Sequence, residues 1–135
     1  NGETIFLKTG LNLTDSFISN PHKSLSGGGT VTYVALQLAY YMGFRQVILV
    51  GLDHSFGDKG IPNKTEVRSQ VEDANHFAPN YFPKGVKWQL PDLLRSELAY
   101  TLARKAFEQD GRRILDATVG GKCEVFEKVD FETLF

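Results

Sequence analysis

The segment Ser26-Gly27-Gly28-Gly29-Thr30-Val31-Thr32 is the most informative stretch of this chain, because three consecutive glycines lead directly into an apolar helical pattern. A glycine turn lets a ligand approach the backbone closely, and the first turn of a helix offers unpaired N–H groups with partial positive charge. The segment therefore predicts an anion site, most often one for phosphate. A strand pattern follows and stops at Gly51-Leu52-Asp53-His54. Polar residues at such a strand end lie at the ligand-binding edge of an open α/β sheet.

The helix itself is predicted from Thr30 to Met42, with Thr30 as its N-cap and Gly43 as the residue that ends it. Its apolar residues cover nearly the whole circumference: Val31, Tyr33, Val34, Ala35, Leu36, Leu38, Tyr40, Tyr41 and Met42. Such a helix is usually buried on most sides, either by further layers of the protein or by a second subunit. The apolar run from Val47 to Val50 predicts a central parallel strand.

The remaining elements are less sharply marked. We expect a first strand over Thr4 to Lys8, a short helical turn near Asp15 to Ile18, and a long irregular segment from Leu52 to Leu90. Long irregular segments tend to be lids or binding loops, and a short helix from Glu66 to Asp73 fits inside this one.

The carboxyl-terminal part of the chain has clearer periodicity. Pro91-Asp92 opens a second helix that extends to about Gln109. Its predicted buried stripe consists of Leu94, Leu98, Ala99, Leu102, Ala103 and Ala106, and its predicted solvent face of Arg95, Glu97, Arg104, Lys105 and Glu108. A third strand is predicted over Arg113 to Asp116, a short strand or extended tail over Cys123 to Val129, and a last helical turn over Asp130 to Phe135.

This alternation of strands and helices predicts an α/β fold, specifically a Rossmann-like open parallel sheet with helices on both faces. We expect residues 1–135 to form a single domain. Since the chain begins at Asn1 without Met, close to a strand, we interpret it as the carboxyl-terminal fragment of a larger protein.

Composition narrows the function classes. The 135 residues are 41% hydrophobic and 23% charged, with a net charge of −1, so electrostatics give no reason to expect a nucleic-acid partner. One cysteine, Cys123, excludes an intrachain disulfide and a cysteine-based zinc site, which fits a reducing, cytoplasmic compartment. No apolar run approaches transmembrane length.

Four places carry candidate chemistry. The first is the glycine turn, which is predicted to hold phosphate through Gly27, Gly28, Gly29 and Thr30. The alternative is that the turn is a flexible connection that ends in an ordinary helix cap. The turn is neither a Walker A loop, since no Gly-Lys-Ser/Thr follows, nor a good dinucleotide fingerprint. At the strand end that stops at Gly51, Asp53 is predicted to bind a ribose hydroxyl, a metal ion or an amine, and His54 to act as an acid or donate to phosphate. The alternative is that Asp53 braces the turn and His54 is a surface residue.

The third strand is followed by Thr118, Gly120 and Gly121. These residues either line a nucleotide pocket or form a structural turn. His76 lies among aromatics and amides in the long segment, where a histidine serves either as a general base over a cleft or as a structural pin. The spacing of Asp53, His54, Asp58 and His76 matches no metal signature.

Several stretches together resemble the MptE-like family, which includes the Maf motility accessory proteins, glycosyltransferases of flagellin modification, and archaeal 6-hydroxymethylpterin diphosphokinases. The resemblance rests on residues 27–32 with 35–44, 50–56, 75–77 with 81–82, and 117–121 with 125–126, and covers about Ser26 to Phe135. The family is in turn similar in fold to bacterial sialyltransferases that use a CMP-activated sugar. That resemblance implies that Gly28, Gly29 and Thr30 hold phosphate or ribose, that Gly51 and Asp53 line the nucleotide pocket, and that His76 deprotonates the acceptor.

The resemblance implies a glycosyltransferase domain whose co-substrate is a nucleotide-activated sugar, with a CMP-linked nonulosonic acid as one candidate donor and a protein or glycan as acceptor. One alternative is diphosphoryl transfer from ATP to a pterin alcohol, with Mg²⁺ near Asp53. Another is a non-catalytic scaffold that forms homo-oligomers through the apolar helix 30–42. We expect no nucleic-acid partner and no membrane span under any of them.

Overall fold

The computed structural model describes residues 4, 6–10, 14–55, 64–67, 87–89 and 91–134, the side chains of 65–67 and 87–89 excepted. In chain order the elements are β1 (Thr9–Gly10), β2 (Leu25–Ser26), α1 (Val31–Tyr41), β3 (Gln46–Leu49), β4 (Thr65–Val67), β5 (Lys87–Gln89), α2 (Leu93–Gln109), β6 (Arg113–Asp116), β7 (Glu127–Lys128) and a 3₁₀ helix (Phe131–Leu134). Two parallel sheets, β1-β2 and β3-β6-β7, and the two α-helices confirm the α/β class. Contacts divide the chain into two compact units.

The first unit comprises Asn1–Asp53 with Leu94–Phe135 and contains both parallel sheets. The second comprises His54–Leu93, and its described part holds the antiparallel pair β4-β5, in which Glu66 is opposite Trp88. The helix predicted from Glu66 is therefore wrong for Glu66 and Val67, which lie in a strand because residues 87–89 supply them with hydrogen-bonding partners. The remainder of that predicted helix, residues 68–73, lies outside the described residues.

The two predicted caps set the limits of α1. The Thr30 side chain accepts a hydrogen bond from the backbone N–H of Thr32 at 3.2 Å, which satisfies one of the free donors of the first turn. At the other end the Met42 N–H donates to the Leu38 carbonyl at 2.9 Å, and Gly43 follows with φ of 85°. A residue without a Cβ is favoured there, so the helix ends where the sequence predicts.

Burial of α1 is less complete than its apolar circumference predicts. Only Tyr33, Leu36 and Gln37 are buried, whereas Val31 is 80% and Met42 68% exposed. Within this chain α1 is therefore buried on one side, and its burial by further layers of the protein or by a second subunit stays a prediction. The described residues of the first unit cover the side of the helix that carries Tyr33.

The sheet β3-β6-β7 has β6 in its centre. In the parallel register Val47 lies beside Ile114 and Leu49 beside Asp116, and β7 adds two residue pairs on the other side of β6. The predicted central position of β3 is wrong within the described residues, where it pairs with β6 alone and alternates between exposed and half-buried residues. Ile114, Leu115 and Asp116 of β6 are buried, as expected for a central strand.

Both helices contribute to one core. Tyr33 and Leu36 of α1 cluster with residues of α2 and with Val47, Leu49 and Ile114, which share one face of the sheet because side chains alternate along strands. The described residues thus place the buried sides of both helices in a single cluster. Helices on both faces, and with them the Rossmann-like layout, stay a prediction.

The face of α2 that enters this core differs from the predicted stripe. The buried residues are Ser96, Ala99, Tyr100, Ala103 and Phe107. Leu94 and Leu98 were expected inside but are 69% and 62% exposed. The small side chain of Ala99 lets α2 lie close to Gly28, and Ala103, Tyr100 and Phe107 belong to the same buried cluster. The predicted stripe is confirmed for Ala99 and Ala103, and Leu102 packs against the core, but the prediction is wrong for Leu94 and Leu98.

The amino-terminal region also departs from expectation. Thr4 and residues 6–8 form no strand, and pairing begins at Thr9, where a neighbouring strand is available. Residues 15–18 are not helical, because the Ile18 N–H is held by the Gln37 side chain rather than by a helical carbonyl. The elements Arg113–Asp116, Glu127–Lys128 and Phe131–Leu134 confirm the carboxyl-terminal predictions. Neither described helix has the length and apolarity needed to cross a membrane.

Candidate functional site

The triglycine turn adopts a conformation that requires glycine at two of its positions. Gly28 and Gly29 have φ values of 56° and 74°, and the Thr30 N–H closes the turn on the Gly27 carbonyl at 3.1 Å. A Cβ on Gly28 would lie 2.3 Å from Tyr33 Cδ1, whereas a Cβ on Gly27 would meet nothing within 4 Å. Gly28 is therefore required both for its backbone angle and for its contact with the Tyr33 ring.

A carboxylate of the chain itself occupies this turn. Asp15 Oδ1 accepts hydrogen bonds from the Gly28 N–H at 3.1 Å and from the Ser26 hydroxyl at 2.8 Å. Arg95 donates from Nε to Asp15 Oδ2 at 2.7 Å and from Nη2 to Oδ1 at 3.1 Å. We call the donor set Ser26, Gly28 and Arg95 the anion cradle. The Arg95 guanidinium holds the pKa of Asp15 below its ordinary value, and the Ser26 and Gly28 bonds act in the same direction against the opposing effect of burial.

Other donors remain beside the cradle. Among the described residues, no acceptor lies within hydrogen-bonding geometry of the N–H groups of Gly29 and Val31. The Tyr33 side chain is fully buried, and its hydroxyl has no hydrogen-bond partner. Burial raises the pKa of Tyr33, and the negative charge of Asp15 raises it further. The amino-terminal end of α1 thus holds one anion and keeps additional donor capacity.

Gln37 attaches the cradle to the helix. This fully buried side chain accepts from the N–H groups of Ile18 and Ser26 at 3.1 and 3.2 Å. Its Nε2 donates to the carbonyls of Ser26 at 2.8 Å and Tyr33 at 3.2 Å. The Gln37 amide thus accepts two hydrogen bonds and donates two, which is all that it can form. These bonds hold β2 and the segment before it against α1.

The carboxyl ends of β3 and β6 lie together, as predicted for parallel neighbours. The Leu52 N–H donates to the Thr118 hydroxyl, and the Lys122 N–H donates to the Asp53 carbonyl, both at 2.8 Å. A Cβ on Gly121 would lie 2.9 Å from the Leu52 carbonyl oxygen. Thr118 and Gly121 thus contact the segment that follows β3, as residues of a structural turn do, and their predicted contact with a nucleotide stays a prediction.

Three predicted binding residues at this edge remain accessible. Asp53 is exposed, and its carboxylate makes no hydrogen bond or ion pair with any residue that the structure describes. Gly51 and Gly120 are exposed turn residues with φ of 78° and 71°, and a Cβ on either would meet nothing within 4 Å. Their predicted contact with a nucleotide stays a prediction.

Asp116 stabilises this edge from inside. It is fully buried, its Oδ1 accepts from the Thr118 N–H at 2.9 Å, and its Oδ2 accepts from Lys128 Nζ at 2.6 Å. A buried carboxylate with both oxygens occupied is satisfied rather than available to a ligand. The pair joins β6 to β7 and fixes the position of Thr118.

The amino-terminal ends of both helices lie at one end of the first unit. At the opposite end, Arg112 Nη1 donates to the Tyr40 carbonyl at 2.7 Å, which brings the ends of α1 and α2 to the start of β6. At the near end, Arg95 reaches Asp15, and the Tyr100 hydroxyl donates to Thr30 Oγ1 at 3.3 Å. Short connections reverse the chain between each helix and its following strand, so the cradle lies toward the carboxyl ends of β3 and β6.

Two predicted site residues cannot be placed with the cradle. His54 begins the second unit, where its φ of 53° is in the left-handed region. His76, the predicted base, lies outside the described residues, as does Asp58. Within the described part of the chain, no three His, Cys, Asp or Glu side chains are grouped so that they could hold a metal ion.

Sequence reasoning missed Asp15, Gln37 and Arg95 as functional neighbours of the turn. Gln37 carried a signal, since a polar residue inside an apolar helix requires buried partners. Asp15 lies in a polar stretch of sequence that gives no sign of its role. Arg95 was predicted to lie on the solvent face of the second helix. Its pair with Asp15 joins residues 80 positions apart, which no local pattern reveals.

A family model described as 6-hydroxymethylpterin diphosphokinase MptE-like matches residues 1–59. The predicted resemblance to the MptE-like family is thus confirmed over the stretch that contains the turn, α1, β3 and Asp53. The match ends before residues 75–82 and 117–126, on which the resemblance also rested, so those parts stay predictions. No curated protein and no solved structure matches the chain.

Proposed function

We propose that this chain is the nucleotide-binding part of a transferase, and that the amino-terminal end of α1 receives a phosphate of the nucleotide. One observation carries the proposal: a backbone N–H and a hydroxyl of the turn and the Arg95 guanidinium point at one anionic group, which in this structure is the chain's own Asp15 carboxylate. The same three donor types bind phosphate in proteins.

The neighbouring groups support this assignment. The N–H groups of Gly29 and Val31 are free for a phosphate oxygen within the described part of the chain, and they lie where the helix dipole favours negative charge. Asp53, exposed at the end of β3, is a carboxylate suited to a ribose hydroxyl or to a divalent cation. Free N–H groups at a helix start and a carboxylate at a strand end are both elements of nucleotide recognition. Gly29, Val31 and Asp53 all lie in the stretch matched by the family model.

The name of the matching family makes diphosphoryl transfer to a pterin alcohol the first reaction to test. In that reaction Mg²⁺ would supply charge neutralisation on the transferred phosphates, with Asp53 as its protein ligand. Glycosyl transfer from a nucleotide-activated sugar, with His76 as general base, is the second reaction. It rests on the sequence resemblance and uses the same phosphate site.

A thermal-shift panel of CMP, CDP, UDP and ATP, each with and without Mg²⁺, tests the shared step. A ligand that binds the native state raises the melting temperature. We expect stabilisation by at least one nucleotide, and we expect Arg95→Gln to lose it while Arg113→Gln, which removes an exposed cation elsewhere, retains it. Stabilisation that survives Arg95→Gln would remove the cradle from the proposal.

Product assays then separate the reactions. Magnesium-dependent consumption of ATP with a pterin alcohol identifies the diphosphokinase. Release of CMP from a CMP-linked sugar, lost in His76→Ala while nucleotide binding persists, identifies the glycosyltransferase. No stabilisation by any nucleotide would favour the scaffold, for which the exposed apolar residues of α1 are the supporting observation.

A further inference from the structure

Asp15 occupies the anion cradle as a ligand would. Its two oxygens accept four hydrogen bonds, from Ser26, Gly28 and twice from Arg95. The carboxylate is brought there by a segment without helix or strand, residues 14–24, and its side chain is only 13% exposed. The ion pair of Asp15 is thus held by an irregular segment, whereas the ion pair Asp116–Lys128 links two strands.

Beside the cradle, the N–H groups of Gly29 and Val31 have no acceptor among the described residues. The Tyr33 hydroxyl is fully buried on a ring that packs against Gly28, and it has no partner. A buried hydroxyl without a partner is destabilising, so proteins seldom keep one without a reason. A carboxylate has two oxygens, whereas a terminal phosphate has three, and the extra oxygen would give this donor set an additional acceptor.

We propose that Asp15 is an internal competitor of the ligand phosphate: it fills the cradle in the free protein, and a phosphate displaces it and takes over Arg95, Gly28 and Ser26. This inference rests on the proposed function and adds an autoinhibitory contact to the same site. Arg95 exchanges one anion for another, so its charge is compensated in both states. The affinity for phosphate is reduced by the fraction of molecules in which Asp15 occupies the cradle.

The test compares pyrophosphate and ATP binding by calorimetry in the wild-type chain and in Asp15→Asn. Asparagine retains the size of the side chain and removes the competing charge, so we expect the affinity to rise by about ten-fold or more. Glu132→Gln is the matched control, because it removes the same charge from an exposed residue of the 3₁₀ helix. We expect less than about two-fold change in that variant.

Tyr33→Phe provides a second variant that does not depend on Asp15. Since the hydroxyl makes no bond in the free protein, its removal leaves the fold intact and lowers pyrophosphate affinity by several-fold. In the wild-type chain, the NMR signals of the Gly28 N–H and the Arg95 Nε–H should shift when pyrophosphate saturates the protein.

The outcomes separate the two proposals. Nucleotide binding by the wild type with equal affinity in Asp15→Asn would overturn the competition and leave the nucleotide site standing. If Asp15→Asn does not fold, unmoved Gly28 and Arg95 signals at saturation would overturn the competition in the wild type. Absence of any binding in the wild type and in Asp15→Asn would overturn both.

Discussion

At the scale of single residues, Gly28 is the position least able to accept a side chain. Alanine there combines a left-handed backbone with a Cβ 2.3 Å from Tyr33 Cδ1 and 2.8 Å from the Ala99 Cβ. Strain and overpacking together should lower the free energy of unfolding by about 3 kcal/mol. Gly27→Ala, in open space, should change it by less than about 0.5 kcal/mol. Equal urea midpoints for the two variants would contradict the described turn.

The ion pair of Asp15 should make the free energy of unfolding depend on pH. Its pKa is lowered in the folded state from the ordinary value of 3.8, chiefly by Arg95, so the stabilisation is present above that value and is lost as the pH falls through the folded-state pKa. Wild-type stability should therefore exceed that of Asp15→Asn at pH 7, and the difference should shrink by pH 3. Urea denaturation of both proteins across this range measures it. A gap that stays constant with pH would show that the lost stability is not electrostatic.

Gln37 tests whether the buried amide secures the region around the cradle. Gln37→Met retains length and helix propensity but removes partners from the Ile18 and Ser26 backbone, which should cost about 2–4 kcal/mol of unfolding free energy. Gln109→Met, at the exposed end of α2, is the matched substitution and should change stability by less than about 0.5 kcal/mol. Thermal denaturation of the two variants gives the comparison, and similar losses in both would argue against the described network.

At the scale of elements, the link between the ends of β3 and β6 depends on one hydroxyl. Thr118→Val is nearly isosteric and removes the acceptor of the Leu52 N–H, so we expect a loss of about 1 kcal/mol in unfolding free energy. Hydrogen exchange should accelerate at Leu52 while the N–H of Ala117, which donates to the Leu49 carbonyl, stays protected. Unchanged exchange at Leu52 would show that Thr118 does not hold this strand end.

The elements that could be predicted from the sequence are those with local signals. Thr30 and Gly43 limit α1 because caps act within one helical turn, and the apolar run ending at Asp116 marks β6. The predicted strand at Thr4 to Lys8 was wrong because strand pairing depends on a distant partner, here Leu25 and Ser26. The prediction that Leu94 and Leu98 of α2 face inward was wrong for the same reason, since the side of a helix that is buried depends on what the completed fold places beside it.

In the candidate site, too, features with a local cause could be predicted, and features that depend on distant residues could not. Turn conformation at Gly28 and Gly29 follows from residue type, so an anion position at the helix start could be predicted. Which anion occupies it depends on Asp15 and Arg95, which are 80 residues apart and are joined only by the completed fold. The proximity of Leu52 to Thr118 follows from parallel pairing, but the hydrogen bond between them is visible only in the structure.

At the scale of the whole molecule, the exposed residues of α1 bear on the predicted self-association. Val31, Ala35 and Met42 are exposed and recur at helical spacing along one side of α1, the pattern of a helix that packs against a partner. The prediction is that the chain associates with itself through this side. Sedimentation of the wild type over a range of concentrations should then show a concentration-dependent increase in mass.

A double variant makes that prediction specific to α1. Ala35→Glu with Met42→Lys leaves the net charge unchanged and places each charge where the helix dipole tolerates it, so the helix persists while the apolar stripe is interrupted. We expect this variant to sediment as a monomer at every concentration. Leu98→Glu, at a position of α2 that is 62% exposed, should associate as the wild type does. A wild type that is monomeric throughout, or association that survives the double variant, would show that α1 is not the contact.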